Sequence, residues 1–115
     1  MSEERRTFPV ELRFPDGSSR RIEVGGEEHI WDAARREGIA LPSTCLQGWC
    51  ISCAGLVLSG DWDQRDSLRY FPEDRAAGFI LLCTARPRSA LSVRTHQKDA
   101  MRANRLAHGR PAPLG

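Results

Sequence analysis

Four cysteines stand in this chain, at Cys45, Cys50, Cys53 and Cys83, and their spacing constrains what it can fold into more than any other feature. Three share one short loop, Cys45-x4-Cys50-x2-Cys53, and the fourth follows after a gap of 29 residues. Whatever gathers these thiols ties that loop to a segment distant in sequence. In a chain of 115 residues the apolar core is modest, so such a tie contributes to folding itself. No apolar run approaches membrane-spanning length, and Met1-Ser2-Glu3-Glu4-Arg5-Arg6 is not followed by the apolar stretch of a secretion signal. The expectation is a soluble, cytoplasmic protein of a reducing compartment, where clustered thiols serve as metal ligands more often than as disulfides.

Thiolates are soft ligands, suited to iron–sulfur clusters and to zinc. The order C-x4-C-x2-C followed by a distant cysteine is the plant-type [2Fe–2S] spacing. Structural zinc sites usually show two pairs with short internal spacings; here three ligands share one loop and the fourth comes alone. A structural zinc module is therefore the weaker reading of the same thiols. Two irons bridged by two sulfides need two thiolates each, so Cys45 and Cys50 would serve one iron, and Cys53 and Cys83 the other. Ser43, Thr44 and Ser52 offer hydroxyl donors around them, and Gly48 and Gly55 stand where the loop needs conformational freedom or clearance. His29, His96 and His108 fall outside any ligand spacing.

The rest of the chain reads as alternating short elements. Val10, Leu12 and Phe14 alternate with polar residues, as do Ile22 and Val24, and Pro15-Asp16-Gly17-Ser18 between them is turn chemistry. This predicts a hairpin. A short helix is predicted over 30–37, with Ile30, Ala33 and Ala34 on its inner face and Gly38 just past its end. A brief strand at 56–58, a helical turn or two at 72–77, a buried strand at 79–83 and a last strand around Leu91 and Val93 follow. Residues 97–107 suit a basic helix with a thin apolar face of Ala100, Met101, Ala103, Leu106 and Ala107. Strands and helices mixed in so short a chain make an α+β domain.

From about Arg6 to His96 the sequence resembles the plant and cyanobacterial type of [2Fe–2S] ferredoxin. The matches are collinear: Pro15-Asp16-Gly17, Asp32-Ala33-Ala34, Gly38, Leu41-Pro42, Cys45, Gly48, Cys50, Ser52-Cys53-Ala54-Gly55, Ser59-Gly60, Asp63-Gln64, Gly78-Phe79, Leu81, Cys83, Pro87 and Thr95-His96. The resemblance implies a β-grasp (ubiquitin-like) fold with a small mixed sheet and one main helix. It implies one [2Fe–2S] cluster near the surface, held by Cys45, Cys50, Cys53 and Cys83, and one-electron transfer at low potential. It makes the chain an electron carrier and not an enzyme, docking to redox proteins such as a reductase, a photosystem or an acceptor enzyme. The division expected is an N-terminal arm over 1–7, a ferredoxin domain over 8–97 and a basic extension over 98–115.

Several positions depart from the family's pattern. Leu46-Gln47 replaces Arg-Ala, and Trp49 and Ile51 stand where small or hydroxyl residues are usual, so a bulky apolar collar around the cluster is expected, with Trp49 exposed as a partner anchor. The family's docking aromatic corresponds to Arg69, and its acid-rich run reads Tyr70-Phe71-Pro72-Glu73-Asp74. Arg94 stands at a usual acid, and Lys98-Asp99 at the final acidic pair. Residues 86–115 carry seven bases and one acid, against ten bases and fourteen acids in residues 1–85. An acidic body thus bears a basic tail. Reversed charges at docking positions imply partners other than the usual plant-type ferredoxin reductase. The tail from about Ala100 reads either as a solvated extension or as a partner-facing arm; without interleaved aromatics nucleic acid is not expected as a partner. A monomer is expected. The alternative function is a regulatory or sensing protein whose cluster state controls partner binding.

Overall fold

The computed structural model describes residues 6–42 and 51–112. Strand β1 (Thr7–Arg13) and strand β2 (Ser19–Gly25) form the hairpin. Its turn is built as the sequence suggests. Phe14 N–H donates to Ser18 O, Gly17 takes φ 90°, and the Asp16 carboxylate accepts from Ser18 N–H and Oγ–H at 2.9 and 2.6 Å. Helix α1 (Ile30–Arg36) follows and buries Ile30, Ala33 and Ala34. Full burial of an isoleucine side chain is worth about 1.5–3 kcal/mol, so even a helix this short is held by its inner face. Gly38, at φ 78°, closes it.

Past the cysteine loop, β3 (Ala54–Ser59) and a two-residue strand β4 (Trp62–Asp63) precede a short helix α2 (Pro72–Ala76). Then come β5 (Phe79–Leu81), β6 (Arg86–Pro87), β7 (Leu91–Arg94) and helix α3 (Lys98–Ala107). The main sheet runs β2-β1-β7-β3-β5, and β4 pairs with β6 in a small second sheet. The first and last strands of the main sheet pair in parallel, Val10 opposite Leu91 and Leu12 opposite Val93, whereas the other pairings are antiparallel. Val10, Leu12, Val24 and Val93 are fully buried along it, and α1 packs against β2. This is the α+β, β-grasp arrangement.

Gly55 lies in β3 where that strand passes β7. A Cβ there would meet Val93 Cγ1 at 2.7 Å and Arg94 O at 3.1 Å. Its clearance therefore serves strand packing.

The C-terminal segment is folded onto the body. Helix α3 packs against α2 and β3, and its buried residues are Met101 and Arg105, one turn apart. Leu106, expected on its inner face, is 56% exposed. The face chosen is the one that carries a buried arginine, because a buried carboxylate waits for it. Arg105 and Asp74 are both fully buried, with Nη2 and Nε of the arginine 3.0–3.2 Å from the carboxylate oxygens. Asp74 also accepts the backbone N–H of Phe71 at 2.9 Å, tying the start of α2. Arg105 further donates to Arg69 O and Pro111 O. The extension is thus a strap over α2 rather than a solvated tail.

Candidate metal centre

Cys53 sits in the tight turn that leads into β3, where Ala54 N–H donates to Ile51 O at 3.1 Å. Cys83 lies just past β5, in a turn closed by Thr84 N–H to Leu81 O at 3.2 Å. The strand expected over 79–83 ends at Leu81. The reason is visible in the backbone. Leu82 and Ala85 turn their carbonyls to the start of α1, accepting from Trp31 N–H and Ile30 N–H, each at 2.9 Å. A continued strand would withhold those acceptors, leaving helix amides that need partners unsatisfied.

The turn bearing Cys83 is tied to the one bearing Cys53, since Leu82 N–H donates to Cys53 O at 3.2 Å. Both thiols are buried, and their sulfurs approach to 3.0 Å although 30 positions separate them in sequence. A disulfide would require about 2.05 Å. Two thiolates held tetrahedrally by bonds of about 2.3 Å stand about 3.7 Å apart, so this pair would open by less than about 1 Å to share one metal ion. The pair expected to share one iron is therefore side by side. Cys45 and Cys50 lie outside the described residues, as do Leu46, Gln47 and Trp49, so the proposed anchor role of Trp49 has no structural description. Ile51, expected in an apolar collar around the cluster, is fully buried in the core. Its size serves packing, which the sequence alone could not separate from exposure.

A residue given no role by the sequence holds this site from behind. Gln64 is buried and spends its amide on the end of β5: Oε1 accepts from Leu81 N–H at 3.1 Å, and Nε2 donates to Leu81 O at 3.0 Å. Oε1 also accepts from Trp62 Nε1–H, and Nε2 approaches Ser67 Oγ and Thr84 Oγ1. Gln64 thus stands in for a neighbouring strand where the sheet stops, two residues before Cys83. Its only sequence signal was the collinear Asp63-Gln64 match. On the other flank, Thr95 N–H donates to Arg13 O and Gln97 N–H to Ala54 O. Held from both sides, His96 takes φ 59°, an uncommon conformation for a residue with a side chain.

Electrostatics around the turns are those of paired surface groups. His29 Nε2 lies 2.8 Å from Asp66 Oδ2, and Arg86 Nη2 reaches the same oxygen at 2.8 Å. The hydrogen bond from His29, helped by Arg86, holds the Asp66 carboxyl below the usual aspartate range.

Comparison with known proteins agrees with this geometry. Residues 13–88 match the model of the 2Fe-2S iron-sulfur cluster binding domain. Ferredoxin-2 of Synechococcus is 38% identical over 105 residues, covering 91% of this chain and 97% of that protein. An alignment of that length necessarily takes in Met101 and Arg105. The heterocyst ferredoxin of Nostoc is 43% identical over 77 residues, 67% of this chain and 78% of that protein. Among solved structures, Pectocin M2 superposes with a TM-score of 0.74 at 31% identity over 84% of this chain. An Amycolatopsis cytochrome P450 reductase gives 0.68 at 34% identity over 76%. The chain spans 35% and 26% of those two larger proteins. With two buried thiols meeting at the ends of β3 and β5 and a family match spanning the region, the chain belongs to the 2Fe-2S ferredoxins, one-electron carriers rather than enzymes, with one [2Fe–2S] cluster.

Proposed function

We propose that Cys45, Cys50, Cys53 and Cys83 hold the cluster, and that the protein carries single electrons at low potential between redox proteins other than the usual plant-type ferredoxin reductase. The observation that carries the ligand assignment is the approach of Cys53 Sγ and Cys83 Sγ to 3.0 Å at the edge of the loop that contains the other two cysteines. Bound there, a [2Fe–2S] cluster supplies reversible one-electron chemistry. The chain's part is to present the thiolates, to fix them through Gln64 and the first amides of α1, and to set which partners approach.

Support for an unusual partner comes from the docking positions named above. Arg94 is exposed on β7, and the acids that remain on α2, Glu73 and Asp74, are taken up by Arg110 and Arg105 of the C-terminal segment. The protein acts as a cytoplasmic, monomeric carrier in this reading; no helix of the described residues is long and apolar enough to cross a membrane.

Two measurements test it. Iron and sulfide analysis of Cys53→Ala and Cys83→Ala should show loss of the centre, and full occupancy in either variant would remove that residue from the ligand set. For partner choice, steady-state reduction by a plant-type NADPH–ferredoxin reductase should be slow. The double change Arg69→Phe with Arg94→Glu should raise its rate, most clearly at low salt. A rate already equal to that of an ordinary plant ferredoxin would return the protein to the general-carrier class.

A further inference from the structure

The surface beside the cysteine turns carries Arg13, Arg94 and Lys98 against the acids Glu11 and Asp99, a small excess of positive charge. One groove is lined by Arg13, Arg94, Thr95 and His96 with the hairpin turn. A second is lined by Pro42, Ser52, His96, Lys98 and Asp99. They adjoin at His96. Pro42 and Ser52 bracket the loop that contains Cys45 and Cys50, and Ser52 precedes Cys53, so the combined surface begins at the proposed cluster edge.

Arg13 and Arg94 are register partners across the parallel β1–β7 pair. Like charges placed so are repulsive unless something offsets them. Glu11 offsets one: Arg13 Nε donates to its carboxylate at 3.2 Å, Ser92 Oγ–H at 2.9 Å, and these bonds hold Glu11 in its charged form. Arg94 and Lys98 make no ion pair among the described residues. Most arginines elsewhere are engaged: Arg36 by Glu28, Arg75 by Asp61, Arg86 by Glu27 and Asp66, Arg88 by Asp63. Arg20, Arg21, Arg35 and Arg102 likewise make no ion pair among the described residues, but Arg94 and Lys98 are the two that line the grooves where an electron would leave. His96, fixed at its positive φ between them, is exposed on the rim.

We infer that this surface, from Ser52 through His96 and Lys98 to Arg94 and Arg13, is the docking face for a redox protein that presents carboxylates around its own centre. Electron transfer requires partner contact at the cluster edge, and the charge at that edge selects the partner's charge. Guanidinium groups suit this because they take carboxylates in two parallel hydrogen bonds. The inference rests on the carrier reading above and specifies its partner.

The test uses the full chain, cluster-loaded and reduced, mixed rapidly with cobalt(III)–EDTA, a monoanion, or with hexaamminecobalt(III), a trication. Each cobalt(III) takes one electron from the reduced protein and becomes cobalt(II). The reduced centre with its four thiolates itself carries a charge of about −3, so the face is read from how the variants change the two rates at low salt, and not from which oxidant is faster with the native chain. Arg94→Glu with Lys98→Glu should slow the anion about tenfold at low salt. Arg35→Glu, on the outer face of α1, should leave it nearly unchanged. A decaglutamate peptide, mimicking the acidic partner, should slow the anion with the native chain and not with the double variant. If Arg94→Glu and Arg35→Glu alone shift the rate equally, only net charge matters and the docking face is wrong. If the loaded native protein lacks the visible absorption of a [2Fe–2S] centre, the carrier reading falls first and the docking face with it. The same absorption shows that each variant is folded and loaded, and Arg94→Gln, a milder change, should give an intermediate slowing.

Discussion

Arg105 and Arg94 lie on neighbouring elements near the C-terminus and have opposite lives. Arg105 is fully buried, bonded to Asp74 and to two backbone carbonyls, and stacked over the Phe71 ring at 5.0 Å. Arg94 is exposed at the end of β7 with no ion pair among the described residues. A tally of basic residues treats them alike and yields one basic tail. The structure divides that tail into a strap that holds α2 and an open rim beside the cysteine turns. Burial decides the role: a charge removed from water must be paired, and a charge left in water is available to a partner.

The sharpest way to break this contrast is to unpair the buried side. Asp74→Ala should cost about 3–5 kcal/mol by urea denaturation, because Arg105 keeps a buried charge with no counterpart. Replacing both partners by leucine should cost less than Asp74→Ala alone; a single variant as stable as the native chain would refute the strap. Gln64→Leu comes next. It leaves the N–H of Leu81 and the indole N–H of Trp62 without their partner, at about 1–3 kcal/mol for a buried group so orphaned. The cluster absorbance should then be lost at a lower temperature than in the native protein.

Smaller effects sharpen the contrast at the surface. Asp66, with its folded pKa lowered by His29 and then Arg86, contributes stability that is present above the ordinary aspartate range and lost as pH falls through the lowered value. Asp66→Asn should therefore flatten the acid limb of a stability–pH profile and leave little change in its shape at neutral pH. Glu73 is likewise held charged by Arg110, but that pair is solvated. Glu73→Gln should be scarcely detectable in denaturation at physiological salt. Arg94→Glu should have the least effect on stability of all, while changing the rates with charged oxidants.

How far the sequence led differs between these regions for physical reasons. The cysteine spacing pointed to the chemistry, and the periods of Val10-Leu12 and Ile22-Val24 gave the hairpin with its face. Helix α1 and its Gly38 stop were legible because caps and apolar spacing are local signals. The parallel β1–β7 pairing was not, since register between distant strands is set by packing. Arg105 was unreadable as a core residue: only the position of Asp74, a long way back in the chain, makes its burial tolerable. Ile51 shows the same limit from the apolar side, because a large residue beside a metal loop has one identity and two possible surroundings.

The first two amides of α1 end on carbonyls flanking Cys83, so the helix begins on the turn that carries this proposed ligand. A chemist who strips the iron would then remove a template as well as a redox group. Deuterium should enter Ile30 and Trp31 sooner in the apoprotein than in the loaded form, while Val10 and Leu12 in the distant hairpin exchange at similar rates in both. Loading would be readable at a helix with no cysteine in it, giving a means to follow cluster insertion without watching the iron.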